Sequence, residues 1–513
     1  MPEAGVINEC DGHGHAVVIG SGIAGLTAAR ALANFMDRVT VLERDWVPRG
    51  PSRRRGVPQA RHTHSLTTAA QRDLERLFPG IGRDLAEAGA VRVRMPEDML
   101  LLGPGGWLPR FDSGLSMLSA SRDLIDAVVR DRLRADPKVT FLQGHEAASL
   151  LPGRHDTVTG VWVRGRDRKA PGEWGAPRLL SADFVVDATG RGSRAPQWLA
   201  ELGYEPPAET VTETRTTHAT SVFAPPVGHV ADWKSLWFMA SADDPSQGVL
   251  NPVEGGRWSV TLSAGAGERP PADHAGLLRA AGALRHPLLR EVLETATPLG
   301  PVYGCDRTGN RWRHYERMRR WPDQFLVVGD AFAALDPAHG QGMTTAVQSA
   351  LLLDHMLAAH GTTVGLSYRL RRALAHQLAP AWRTSIRGLR AADGSPAGAR
   401  ARLGRRYAAR VAAASTTDPR AARLLLELRQ AAAPPAVAVR PGVLRAVLRG
   451  PRGPAAAAPP STTHGPNARP RRSAAQDAPA AGALPGSAPP PMTTADAVPQ
   501  WPASAPSHDR RRP

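Results

Sequence analysis

The chain has 513 residues, 42% hydrophobic and 22% charged, with 50 Gly, 47 Pro, 2 Cys and a formal net charge of +17. Such a length holds roughly two to four domains and a sizeable core, while Cys10 and Cys305 alone exclude a disulfide framework or a cysteine metal cluster. The charge is uneven: residues 395–513 carry 18 Arg against 5 acidic residues, and the first 394 residues net only +4, so the Arg excess reads as compositional bias and no nucleic-acid partner is expected.

No apolar run reaches the roughly 18 residues of a membrane span, and no basic-then-apolar leader opens the chain, so the expectation is a cytoplasmic protein without a spanning helix. Ala16-Val17-Val18-Ile19 is apolar without alternation, the pattern of a parallel strand buried on both faces. Gly20-Ser21-Gly22-Ile23-Ala24-Gly25 follows, then helical spacing from Leu26 to Leu32, then a second strand, Val39 to Leu42, ending at Glu43. This β-α-β unit carries the dinucleotide fingerprint in its proper setting. Gly20 permits the tight turn, Gly22 lets backbone N–H groups approach a pyrophosphate, and Gly25 lets the helix lie close to the sheet. The helix N-terminus supplies free donors and partial positive charge. Glu43, 18 residues beyond Gly25, is placed to accept both ribose hydroxyls of an adenosine and would repel a 2′-phosphate. The fingerprint by itself suits NAD and FAD alike.

Arg53-Arg54-Arg55 reads either as a solvated charge run or as a lid over a cofactor. His13 with His15, and His62 with His64, form two His-x-His pairs, but no Asp, Glu or Cys completes a ligand set, so no metal is expected and His62 and His64 read as polar lining. Ala182 to Asp187 is a strand that ends in the small-residue turn Ala188-Thr189-Gly190. Residues 201–304 change character: Glu209 to Thr217, Trp237-Phe238-Met239 and Arg257 to Leu262 alternate as β-strands do. Phe325 to Val328 is a further strand, running into Gly329-Asp330-Ala331. Pro337, Gly340-Gln341-Gly342-Met343 and a helix with Ala346, Ala350, Leu353 and Leu357 on its apolar face come next. Residues 395–449 form a basic helical extension. From 450 to 513 the chain is Pro-, Ala- and Ser-rich, with too little apolar surface to offset ordering entropy, and is expected to be disordered.

These motifs, spread from about His15 to His360, make the sequence similar to the FAD-dependent, single-component (group A) monooxygenases typified by p-hydroxybenzoate hydroxylase. Asp187-Ala188-Thr189-Gly190 departs from the Asp-Gly of the aromatic hydroxylases. Arg55 to His64, Ser121-Arg122-Asp123 and Gly340 to Thr344 resemble segments of actinobacterial enzymes that epoxidise polyene polyketides on the way to polyethers. The resemblance implies an α/β fold. A Rossmann-like FAD-binding domain with a parallel sheet would be assembled from 12–92, 119–200 and 305–394, and an antiparallel β-sheet substrate domain from 93–118 and 201–304. Its cofactor-binding set is Gly20, Gly22, Gly25, Glu43, Arg122, Gly329, Asp330, Gly340, Gly342 and Met343. It places His62 and His64 beside the flavin and Trp237, Phe238, Met239 and Trp258 among the pocket walls.

The implied activity uses NAD(P)H to reduce FAD, forms a flavin C4a-hydroperoxide with O2, and epoxidises or hydroxylates an electron-rich, hydrophobic secondary metabolite, free or carried on a carrier protein. With the flavin carrying the chemistry, no catalytic side chain is assigned. An aromatic hydroxylase, or an FAD-dependent reductase of polyprenyl or polyene double bonds, would use the same fold. The WxWxIP signature of flavin halogenases is absent.

Overall fold

The computed structural model describes residues 14–460, apart from 167–172, 215, 242, 266–268, 306–307, 338–339, 393–397, 452 and 454–455. His13 and the Pro-rich tail from residue 461 onward lie outside the described residues. Five short apolar strands form one parallel sheet in the order Phe325–Val327, Phe184–Asp187, His15–Ile19, Arg38–Glu43, Val139–Gln143. His15–Ile19 is buried along its whole length, which is why it lacks alternation.

The helices are α1 (Ile23–Ala33), α2 (Thr68–Leu77), α3 (Ile81–Glu87), α4 (Arg122–Arg134), α5 (Ala195–Glu201), α6 (His274–Gly282), α7 (Leu288–Glu294), α8 (Gly342–His360), α9 (Leu366–Ala392), α10 (Ala399–Ala414), α11 (Pro419–Arg429) and α12 (Pro441–Arg449). α1, α4, α8 and α9 pack with the parallel sheet in one continuous core, which also takes in the antiparallel strands His145–Pro152, Val158–Gly165 and Arg178–Ser181. α2 and α4 open on side-chain caps, Thr67 accepting from the Ala70 N–H and Ser121 from the Leu124 N–H. α1 and α8 have no side-chain cap.

An eight-stranded sheet runs Thr297–Pro298, Thr217–Ala224, Arg257–Ala264, Gln247–Val253, Ser235–Phe238, Met99–Gly103, Gly106–Trp107, with Tyr303–Cys305 also pairing with Thr217–Ala224. Period-2 alternation gives it two unlike faces. On the outer face Leu236, Phe238, Leu250, Trp258, Val260 and Leu262 pack on Leu277 and Ala281 of α6 and Leu289 and Leu293 of α7. On the inner face one cross-strand row reads Leu101, Trp237, Val249, Thr261, Thr220, Tyr303. The β-pattern from Glu209 to Thr217 is two strands in different sheets: Glu209–Thr214 pairs with Thr308–Arg313, not with the large sheet.

Of the C-terminal helices, α11 packs on the body of the protein, while α10 and α12 pack with it in clusters of their own. Ala422 and Leu426 of α11 join Met95, Met99, Leu101, Met117 and Trp237 in one apolar cluster. Gln430 accepts hydrogen bonds from the backbone N–H groups of Thr68, through its side-chain oxygen, and Ala69, through its carbonyl.

His15 is 1% exposed, with Nδ1 2.7 Å from the Ser181 carbonyl and Nε2 2.9 Å from the Thr40 hydroxyl. The carbonyl only accepts, so Nδ1 carries the proton and the ring is neutral. Burial lowers its pKa to about 4, aided by Arg38. The unfolded chain therefore binds more protons than the native one between pH 6.5 and pH 4, and stability falls as pH drops through that window. Urea unfolding at stepped pH should show this fall, with His15 contributing on the order of 1–3 kcal/mol by pH 4; His15→Gln should flatten the curve in proportion.

Candidate functional site

At the C-terminal end of His15–Ile19 the chain turns at Gly20 with φ +102°, where a Cβ would meet the Ala188 carbonyl oxygen at 2.8 Å. A Cβ on Gly25 would sit 1.9 Å from the Gly20 carbonyl oxygen, so α1 touches the turn backbone to backbone. Nothing lies within 4 Å of a Cβ built on Gly22, the N-cap residue of α1, which offers no side-chain cap. The result is a glycine cradle that is tight beneath and open above, with helix N–H groups facing the open side. A diphosphate fits this arrangement.

Glu43 ends the neighbouring strand as expected, but its lone pairs are engaged. Oε2 accepts from the Ser21 N–H at 3.1 Å, the Ser21 hydroxyl at 2.6 Å and the Arg54 guanidinium at 2.7 Å, while Oε1 accepts from the Asp45 N–H. A ribose diol would share Oε1 or displace Arg54. Arg54 itself is buried and also donates to the Ser21 carbonyl, so it is no solvated member of its run. Arg53 and Arg61 each stand 4.8 Å over the Tyr303 ring, and Arg53 donates to the Tyr303 hydroxyl.

Gly329 has φ +61°, and its absent Cβ leaves room for Ala24 of α1. This brings Asp330 to the cradle. Arg191 lies 3.7 Å from the Asp330 carboxylate and donates to the Gly309 and Leu335 carbonyls. The Asp330 side chain is 32% open, yet burial raises its pKa against the pull of Arg191, Arg122 and Arg311. Arg122, at the start of α4, pairs with Asp126 at 2.7 Å and is close enough to act on both Asp330 and His64.

Gly340, at φ +63°, and Gly342 have no atom within 4 Å of an added Cβ, and the uncapped N-terminus of α8 begins there with Met343 buried. Thr344, in its first turn, hydrogen-bonds Thr67 at 2.9 Å. A flavin ring edge that gains negative charge suits such a helix end. Asp187 closes the divergent Asp-Ala-Thr-Gly turn upon itself, accepting from Thr189 and Ser193.

His62 joins the inner sheet face: its Nδ1 lies 2.8 Å from Thr220, which continues through Thr261 and Thr63 to Ser259. Burial, with His218 and Arg61 nearby, lowers its pKa to about 4. His64 donates from Nδ1 to the His62 carbonyl, and burial, aided by Arg122, brings it to about 3. Both rings are neutral at pH 7. His218, missed in the sequence, is 5% exposed on this face, with Nε2 unbonded 3.9 Å from Asp336. Among the described residues no group of three or more His, Cys, Asp or Glu could hold a metal.

The expected pocket walls divide. Trp237 and Met239 belong to the inner-face cluster, the Trp237 indole donating to Asn251. Phe238 and Trp258 differ from expectation: strand register turns both to the outer face. There Trp258 meets Trp233 and His229 beside a cleft of about 350 Å3, on the far side of the sheet from the Thr63 hydroxyl network.

The cradle makes a differential prediction. Gly22→Val should leave the melting temperature of the FAD-free protein unchanged but lose about ten-fold or more of the FAD content, read as the ratio of flavin to protein absorbance. Gly25→Ala should lose about 3 kcal/mol or more of stability, or fail to yield soluble protein, because backbone must move.

Comparison with known proteins identifies the family. The family described as FAD binding domain matches residues 14–384. Protein Rv3254 of Mycobacterium tuberculosis is 32% identical over 379 residues, covering 72% of this chain and 78% of that protein. Kynurenine 3-monooxygenase of Salinispora tropica is 27% identical over 368 residues, covering 67% of this chain and 72% of that protein. The crystal structure of p-nitrophenol 4-monooxygenase PnpA from Pseudomonas putida DLL-E4 superposes with a TM-score of 0.54 at 18% identity, over 81% of this chain and 98% of that one. The chain belongs to the FAD binding domain family, with the fold of the flavin monooxygenases that use NAD(P)H as reductant.

Proposed function

We propose that the protein inserts one oxygen atom from O2 into an electron-rich, largely hydrophobic small molecule, by epoxidation of a polyene chain. Bound FAD supplies the chemistry, taking electrons from NAD(P)H and activating O2; the chain's residues bind, orient and exclude water. The α1 N-terminus at Gly22 holds the diphosphate, Asp330 accepts from a ribitol hydroxyl, and the α8 N-terminus at Gly342 faces the ring edge that becomes anionic. Arg122 and Arg191 balance the Asp330 carboxylate. The inner sheet face roofs the substrate, with Trp237 and Met239 as walls.

The observation that carries the preference for an alkene is the make-up of that face. Its row passes from apolar Leu101, Trp237 and Val249 to the hydroxyls of Thr261 and Thr220, beside histidines that burial makes weak bases, with pKa values lowered to about 4 and about 3. An alkene needs no proton removed, whereas a phenol gains from a base. Aromatic hydroxylation is the second reading, favoured by the relatives named as acting on kynurenine and p-nitrophenol.

The test is to supply holoenzyme with NADPH, O2 and either conjugated polyene acids or phenols, following NADPH oxidation, O2 uptake and product mass. Polyene-dependent turnover with one added oxygen atom is expected. Turnover with phenols alone establishes the second reading, and a product gaining two hydrogens without O2 uptake overturns both in favour of a reductase.

A further inference from the structure

Arg429, the last residue of α11, is a cation set against the apolar end of the inner sheet face. Its guanidinium carbon lies 4.9 Å from the centre of the Trp237 ring, and Trp237 is itself 6% exposed among Met95, Met99, Leu101 and Leu426. Among the described residues no hydrogen bond or ion pair of Arg429 to a carboxylate is found. The acidic residue of its own helix is taken: Glu427 pairs with Arg423 at 3.0 Å and Arg440 at 3.1 Å, on the other side of α11. Next to Arg429, Gln430 clasps the start of α2, whose Thr67 in turn bonds Thr344 at the beginning of α8. Through Gln430 and α2, the end of α11 that carries Arg429 is thus tied to the start of α8. It is half-buried, and desolvation lowers its pKa to about 10. An indole face repays only part of the cost of desolvating a cation, and an anion delivered with the substrate would repay the rest.

We propose that Arg429 is a specificity-determining residue that binds a carboxylate at one end of the substrate. The enzyme then acts on a released, chain-type carboxylic acid rather than on a thioester held by a carrier protein, because a thioester is neutral at that end. This rests on the reading of the inner face as the substrate roof. Arg is suited to the task, since its planar fork can hold a carboxylate with two parallel hydrogen bonds while one face stays on Trp237.

The experiment titrates FAD-loaded protein with arachidonate and with its methyl ester, below their micelle concentrations, reading perturbation of the flavin absorbance and, independently, equilibrium dialysis. Wild-type protein should bind the acid at least about ten-fold more tightly than the ester, the lower end of what a close charge pair contributes. Arg429→Gln should abolish that preference while leaving FAD content and ester affinity unchanged, and Arg429→Lys should restore part of it. Equal affinities for acid and ester in the wild-type protein, no binding of the acid, or a preference retained in Arg429→Gln each overturn the proposal. The binding readout separates it from the oxygenation reading: acid preference without oxygen insertion sinks the latter alone.

Discussion

The structure depends on one close approach, that of α1 to the turn after the first strand. Gly25 rests so near the Gly20 carbonyl that no side chain fits between them, and that contact aims the helix N-terminus over the sheet's C-terminal edge. Other parts of the site are placed relative to it. Gly329 tucks against Ala24 and so delivers Asp330, and Asp330 draws in Arg191 from the end of a third strand. A dinucleotide of FAD's length needs grips that far apart in sequence, and a parallel sheet supplies them because its strands end on one edge.

The second organising feature is the division of the large sheet into two faces. Alternation sends Trp258 and Phe238 into a helix-covered core and leaves Trp237, Thr261 and Thr220 on the other side. That inner face grades from apolar to hydroxyl-lined, and its hydroxyls pair with one another, Thr220 with Thr261 and Thr63 with Ser259.

Much of the cofactor site is visible in the sequence because glycine spacing, a strand without alternation and a terminal Glu are local signals. The parts that escape are set by tertiary contact. Arg54 stands in a run of three arginines, and nothing local marks it as the one that reaches Glu43. Trp237 and Trp258 both sit in strands, and only the pairing register, with Trp258 opposite Phe223 and Trp237 opposite Leu101, assigns them to opposite faces of the sheet. α11 is Ala- and Leu-rich like much of the chain, so its docking on Met99 and Leu101 has no distinctive pattern.

The clasp between Gln430 and the backbone of Thr68 and Ala69 has a consequence for the order of assembly. A ribosome delivers α1 and α8 before α11 exists, so the glycine turn and its sheet can form while the apolar cluster of Met99, Leu101 and Trp237 still lacks its covering helix. Docking of α11 is then a late event in folding, one that settles onto a framework already in place.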